Sequence, residues 1–230
     1  IIPCNDKSII PIMENFIAFQ KFPIAVPNQK AYRHFYDKHE TRILAQKMGV
    51  PVSQGRLLNE NDTTESLIKE FGLPVIIKPR RSYALNKTAF RNKVFNIKTP
   101  EILANVLNQI RKNDEYLVEQ FFNGVGAGIS ILADDGKVLT AFQHLRVNEP
   151  PDGGGSSYRK SVPLNPKMLR QVEKLTTQAH LTGVSMFEFK INLETQEFIL
   201  VEVNARFWGS LPLAIVAGID FPFLLYKVFV

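Results

Sequence analysis

Glu188, Glu202, Asn204 and Arg206 are the residues whose types and spacing best suit chemistry in this chain. They lie in two apolar runs, Val184–Ile191 and Phe198–Phe207, joined by a polar connection from Asn192 to Glu197. Each run alternates and is rich in β-branched and aromatic residues, so the pair reads as an antiparallel hairpin. A hairpin symmetric about Thr195 sets Glu188 opposite Glu202 and Met186 opposite Asn204, with facing Cβ atoms roughly 4.5–5.5 Å apart. Two carboxylates that close repel unless something positive lies between them. The strand repeat also puts Glu202, Asn204 and Arg206 on one face, about 7 Å between successive members. Oxygen ligands without His or Cys suit Mg²⁺ or Mn²⁺, which bind a few carboxylates together with substrate phosphates. The bland alternative is a solvated surface hairpin, and the Phe, Met, Val and Trp on both faces argue against it.

Glu188 followed by Glu202-Val203-Asn204-Ala205-Arg206-Phe207-Trp208-Gly209 resembles the metal-binding end of the ATP-grasp superfamily. The resemblance is strongest to the carbamoyl-phosphate synthase and biotin carboxylase branch and its carboxylate–amine ligase relatives. Ala217-Gly218-Ile219-Asp220-Phe221-Pro222 fits that branch as well. Upstream, Asp37-Lys38, a helix and then Met48-Gly49-Val50-Pro51 are similar to the family's entry segment, which implies that Lys38 reaches the nucleotide phosphates. Pro74-Val75-Ile76-Ile77-Lys78-Pro79 reads as a buried strand ending in a lysine, and resembles the segment that carries the phosphate-binding lysine of the lid lobe. Glu115–Phe122 resembles the inter-lobe strand whose backbone reads the adenine edge. The resemblance there implies Glu119 on the amino-group side, backbone contacts from Gln120 and Phe122, and packing by Phe121. It also implies that Glu188, Glu202 and Asn204 hold the metal and that Arg206 orients a substrate carboxylate.

Two places depart from the family's pattern. No glycine lies between Gly72 and Gly124, where many relatives carry a Gly-rich flap; Arg80-Arg81-Ser82-Tyr83 and Lys87 stand there instead. Phosphate contacts are then expected from side chains, Arg80 among them. Gly124-Val125-Gly126-Ala127-Gly128 lacks the acid that many relatives offer to the ribose, and reads as a bend before the next strand.

The elements that must position these residues follow from local signals. Asp37 as N-cap and Glu40 three residues on open a helix that Gly49 closes before Pro51. Ser8–Lys21 reads as a short amphipathic helix, Asp62–Phe71 as a helix stopped by Gly72, and Thr99-Pro100 as the start of another. Asp134-Asp135-Gly136 marks a hairpin between Gly128–Leu132 and Lys137–Val147. On its second strand Gln143 and Arg146 are expected to face the cleft, Gln143 toward the nucleotide, with His144 on the other side. Pro150-Pro151-Asp152-Gly153-Gly154-Gly155-Ser156-Ser157-Tyr158-Arg159 reads as a mobile linker or as a substrate loop offering N–H and O–H donors. A Gly-Gly-x-Ser loop at this place resembles the ligase-like subgroup, which favours the substrate loop. A helix from Asn165-Pro166 returns the chain to the Glu188 hairpin.

Composition bounds the rest. At 230 residues, with 45% apolar and 22% charged, the chain is globular. One cysteine excludes a disulfide framework or a thiolate zinc site and fits a cytoplasmic home. A net charge of +6 favours anionic partners, and seven Lys/Arg with no acid fall between Phe71 and Pro100. No recognition module accompanies them, so triphosphate is expected rather than nucleic acid. Pro212, Gly218, Asp220, Pro222 and Lys227 interrupt the apolar tail, so no membrane span is expected.

The reading is therefore an α+β chain with the ATP-grasp fold, two α+β lobes holding the nucleotide between them. Residues 1–36 are read as the end of a preceding α/β domain. Residues 37–118 are the N-terminal part with the lid lobe, and 119–230 the lobe carrying the metal site. The resemblance implies a ligase that uses ATP and Mg²⁺ (or Mn²⁺) to turn a small carboxylate into an acyl phosphate for capture by an amine. A bicarbonate-phosphorylating enzyme and a non-catalytic ATP-binding domain are the alternatives, and a homodimer is left open.

Overall fold

The structure, a computed structural model, describes residues 1–84, 87–91, 93–110, 115–149 and 158–229, and for 84 and 87–91 the backbone alone. The chain begins with α1 (Asp6–Glu14) and α2 (Phe16–Phe19), a break at Asn15 dividing the single helix expected there. Next comes α3 (Gln29–Tyr36), capped by Asn28, whose side chain accepts from Ala31 N–H. Asp37 then accepts from His39 N–H and Glu40 N–H to cap α4 (Lys38–Lys47), which Gly49 at φ +65° closes.

β1 (Gly55–Leu57), α5 (Thr64–Phe71), β2 (Val75–Pro79), β3 (Tyr83–Ala84), β4 (Lys87–Arg91), β5 (Phe95–Ile97), α6 (Pro100–Ile110) and β6 (Tyr116–Gln120) form the smaller lobe. Its sheet has the order β1-β6-β2-β5, with β3 and β4 a separate two-stranded flap. α5 and α6 cover one face through Leu67, Phe71, Leu103 and Leu107. The helix expected from Asp62 starts two residues later. Thr63 and Ser66 make the capping box, and Asp62 turns back to Arg56 and Asn59.

β7 (Val125–Asp134), β8 (Lys137–Asn148), β9 (Tyr158–Val162), α7 (Pro166–Ala179), β10 (Gly183–Ile191), β11 (Phe198–Asn204), α8 (Leu211–Val216) and α9 (Phe221–Phe229) complete the chain. The five strands order as β11-β10-β7-β8-β9, antiparallel throughout. One face buries Ile129, Ile131, Phe187 and Phe189 against α3, α4 and α7, through Phe35, Leu44 and Val172. On the other face α8 and α9 cover only one end, where Phe142 and Met186 meet Trp208, Phe221 and Leu225. The uncovered end of that face carries the charged residues. Gly126 and Gly128 of the glycine run lie within β7, which starts at Val125, three residues before the strand expected from Gly128. Of the expected substrate loop, Tyr158 and Arg159 form the start of β9, and 150–157 lie outside the described residues. Among the described residues no helix is long and apolar enough to cross a membrane.

Candidate active site

The β10–β11 ladder pairs Met186 with Asn204 and Glu188 with Glu202, the facing expected from the hairpin. Beyond Glu188 the register shifts, so that Phe189 faces Leu200 and Val201 is left over as a bulge. The slip has a reason in the sequence. Strict alternation would put Leu200 on the same face as Glu202; the extra residue returns Leu200 to the apolar core while Glu202 keeps facing the cleft. It also leaves a carbonyl outside the ladder, and Lys78 Nζ donates to Val201 O at 3.0 Å.

Cations from other elements surround the acids. Arg146 Nη2 meets Glu188 Oε2 at 2.6 Å, and Lys38 Nζ lies 3.4 Å from Glu202 Oε2 while donating to Ser82 Oγ at 2.8 Å. Asn204 sits between the carboxylates, its amide 3.5 Å from Glu188 Oε1 and 3.4 Å from Glu202 Oε1. Burial, and then the charge of Glu202, push the Glu188 carboxyl above its ordinary range, with Arg146, Arg159 and Arg206 opposing. The donor set of two carboxylates and an amide fits a hard divalent ion that takes its remaining ligands from water or phosphate. Among the described residues no three His, Cys, Asp or Glu gather into a closed cage.

Arg206 reaches this group by a different route from the one expected. β11 ends at Asn204, and Arg206 N–H folds back to Asn204 O at 2.8 Å. The guanidinium then donates to Asn204 Oδ1 at 2.7 Å and to Asp6 Oδ1 at 2.7 Å, tying α1 to the site.

Gln143 and His144 are reversed relative to expectation. Gln143 points into the α7 side, where its Oε1 accepts from Asn165 N–H at 2.7 Å. His144 is cross-strand from Gly128, which is cross-strand from Glu188, so His144 lies on the carboxylate face. A Cβ at Gly128 would stand 2.3 Å from the His144 ring, and one at Gly126 would stand 2.4 Å from Arg146 Cδ. The two glycines therefore let His144 and Arg146 lie across the sheet. Burial, then Arg159 and Arg146, lower His144 from its ordinary 6.5 to about 4, so it is neutral at pH 7. Two glycines two residues apart in an apolar strand were the available signal for this close approach.

Lys78 and Glu119 meet at the seam between the lobes. Lys78 Nζ lies 2.8 Å from Glu119 Oε2, and Arg42 Nη1 lies 3.2 Å from Glu119 Oε1. This buried trio carries two positive charges and one negative. Arg42 follows Lys38 by one helical turn, a spacing that places both on one face of α4. Gln120 donates its N–H to Gln54 O at 2.8 Å and accepts from the Ser53 hydroxyl, so its backbone is already engaged. Phe121 and Phe122 follow the strand half-buried. Arg80 is not brought to the acids. It bonds Asp37 at 2.6 Å and Glu115 at 2.7 Å, with Glu40 at 3.5 Å, and so braces the α4 cap. The Lys87 side chain lies outside the described residues.

Residues 112–230 match the family described as ATP-grasp in the biosynthetic pathway with Ter operon. The chain belongs to the ATP-grasp family. It is 23% identical over 205 residues to the carbamoyl-phosphate synthase of Methanobrevibacter smithii, covering 86% of this chain and 53% of that protein. The D-alanine–D-alanine ligase of Coxiella burnetii superposes with a TM-score of 0.71 at 15% identity, over 98% of this chain and 64% of that one. The biotin carboxylase of Campylobacter jejuni, in a β-γ-ATP complex, gives 0.70 at 19% identity, over 94% and 50%. These superpositions show the ATP-grasp fold. The chain spans about half the length of curated relatives it matches, 53% of that carbamoyl-phosphate synthase and 50% of the D-alanine–D-alanine ligase of Geobacter sulfurreducens.

Proposed function

We propose that the chain is an ATP- and Mg²⁺-dependent ligase that activates a carboxylate as an acyl phosphate for attack by an amine. One observation carries the reading: Glu188, Glu202 and Asn204 on the large sheet converge with Lys38, while Lys78 reaches the same hairpin from the small lobe.

Glu188, Glu202 and Asn204 would hold Mg²⁺, which supplies charge neutralisation on the phosphate oxygens when bound. Lys38 and Lys78 would exchange their present partners, Glu202, Ser82, Glu119 and Val201 O, for triphosphate oxygens. The excess positive charge of the Arg42–Glu119–Lys78 trio favours that exchange. Arg206, oriented by Asp6, would present its planar fork to the substrate carboxylate. Such a reaction asks the protein for position and electrostatics rather than for a nucleophilic side chain.

Calorimetric titration of ATP with and without Mg²⁺ tests the reading. Binding that requires Mg²⁺, followed by ADP release that requires a carboxylic acid and an amine, is the expected result. Absence of ATP binding in both conditions would overturn it.

A further inference from the structure

A second cavity opens on the far side of α3 from the main core. Its volume is about 650 Å³, within the usual range for a small-molecule site. Lys30, Arg33, His34, Arg80 and Arg81 line it, with Asp37 and Glu40. The two acids are already matched: Arg80 and Arg81 pair with Asp37, and Arg80 also approaches Glu40. Lys30 and Arg33, both exposed, have no carboxylate partner among the described residues. The surplus charge is therefore positive and faces open space.

Tyr32 and Tyr36 form the wall between this cavity and a smaller one. Their rings stack at 5.1 Å. Both tyrosines also line the small cavity, about 30 Å³, which runs to Lys38, Glu202, Asn204 and Arg206. Tyr36 donates to Tyr83 O at 3.1 Å, whereas the buried Tyr32 hydroxyl has no partner among the described residues. An unpaired buried hydroxyl is costly and invites an acceptor.

We propose that the larger cavity receives the remote acidic group of the acid that this site activates. The substrate is then a small polyanion, a di- or tricarboxylate or a phosphorylated carboxylic acid. Lys30, Arg33 and Arg81 hold its remote charge, and the Tyr32 hydroxyl donates to it as its reacting carboxylate passes the tyrosine pair toward Arg206. The direction in which the substrate points rests on the ligase reading; the preference of the cavity for a multiply charged acid does not.

The test is calorimetry with citrate, against acetate at matched ionic strength, in Mg²⁺-free buffer so that chelation plays no part. Saturable citrate binding is expected, weakened about tenfold or more in Lys30→Ala/Arg33→Ala and several-fold in Tyr32→Phe. The exposed pair Lys167→Ala/Arg170→Ala removes the same charge elsewhere and is expected to leave citrate binding unchanged. Citrate bound no better than acetate, or weakened equally by both double variants, would overturn the proposal. Mg²⁺-ATP titration of the same proteins separates the two readings. Mg²⁺-dependent ATP binding without citrate binding sinks the cavity assignment alone. Citrate binding that depends on Lys30 and Arg33, without ATP binding, supports the cavity and sinks the ligase.

Discussion

Glu202 and His144 make opposite demands on their surroundings. Glu202 faces Glu188 across the ladder and lies 3.4 Å from Lys38, so neutralising it relieves one repulsion and loses one attraction while taking away a proposed metal ligand. Glu202→Gln is therefore expected to change thermal stability little, the two effects opposing, and to abolish Mg²⁺-dependent ATP binding, as read by melting and calorimetry. Retained Mg²⁺-dependent binding would remove Glu202 from the metal site. Arg206→Ala is a poorer test, because Arg206 also holds Asp6 and Asn204. His144 is buried neutral, with an ordinary value of 6.5 lowered to about 4. Its contribution to stability is complete above pH 6.5 and is lost as pH falls toward 4, by up to roughly 3 kcal/mol. Denaturant unfolding at pH 7.5 and pH 4 should show the stability gap between wild type and His144→Gln shifting against wild type by that order. A constant gap would contradict the burial argument. The sequence revealed the acid pair because apolar neighbours fix its phase. It misplaced Gln143 and His144 because both are buried polar residues, so alternation gives no phase there. Asp6 gave no signal, standing 200 residues from Arg206.

Several secondary elements were legible because one local interaction decides them. The Asp37 cap, the Gly72 stop, the Asp135-Gly136 turn and the start of α6 at Pro100 all rest on neighbours in sequence. α3 and β9 escaped, α3 as an aromatic-rich segment of low mean hydropathy and β9 because Tyr158 and Arg159 follow a glycine run. The bulge at Val201 escaped for another reason: it answers to the fold, since only the finished sheet requires Leu200 and Glu202 to point apart. β7 offers a test at this scale. A methyl group at Gly128 meets the edge of a buried ring rather than a flexible chain end. Gly128→Ala should cost about 1–3 kcal/mol, measured by urea denaturation, and His144→Ala in the same chain should recover much of that cost. Additive losses would show that the two residues do not touch.

Across the whole molecule, some of the contacts that join the lobes are made by groups that also suit phosphate. Lys78 spans from the small sheet to Val201 O, and Arg42 joins it on Glu119. The cavity of about 30 Å³ beside Glu202 and Lys38 has room for roughly one water, so a ligand that enters there must displace the side chains lining it. Lys78→Met leaves Glu119 with Arg42 alone and should destabilise the protein by about 1–3 kcal/mol. It should also weaken ATP binding, whereas Glu119→Gln should destabilise without a comparable loss of ATP affinity. Equal affinity losses in both variants would mean that Lys78 acts only through the trio. The lobes themselves were readable from the family resemblance, but the pairing that closes them was not, because it depends on side chains brought together from α4, β2, β6 and β11.

The one-residue slip at Val201 has a consequence for insertions and deletions. Without Val201, the run Phe198-Ile199-Leu200-Glu202-Val203-Asn204 alternates core and cleft without interruption, and Glu188 still meets Glu202. A chain shortened by that residue keeps its acid pair and loses only the carbonyl that Lys78 grips. The proposed metal site and the Lys78 contact between the lobes are thus separable by a single codon, and the spare residue in β11 serves the opposite half of the protein.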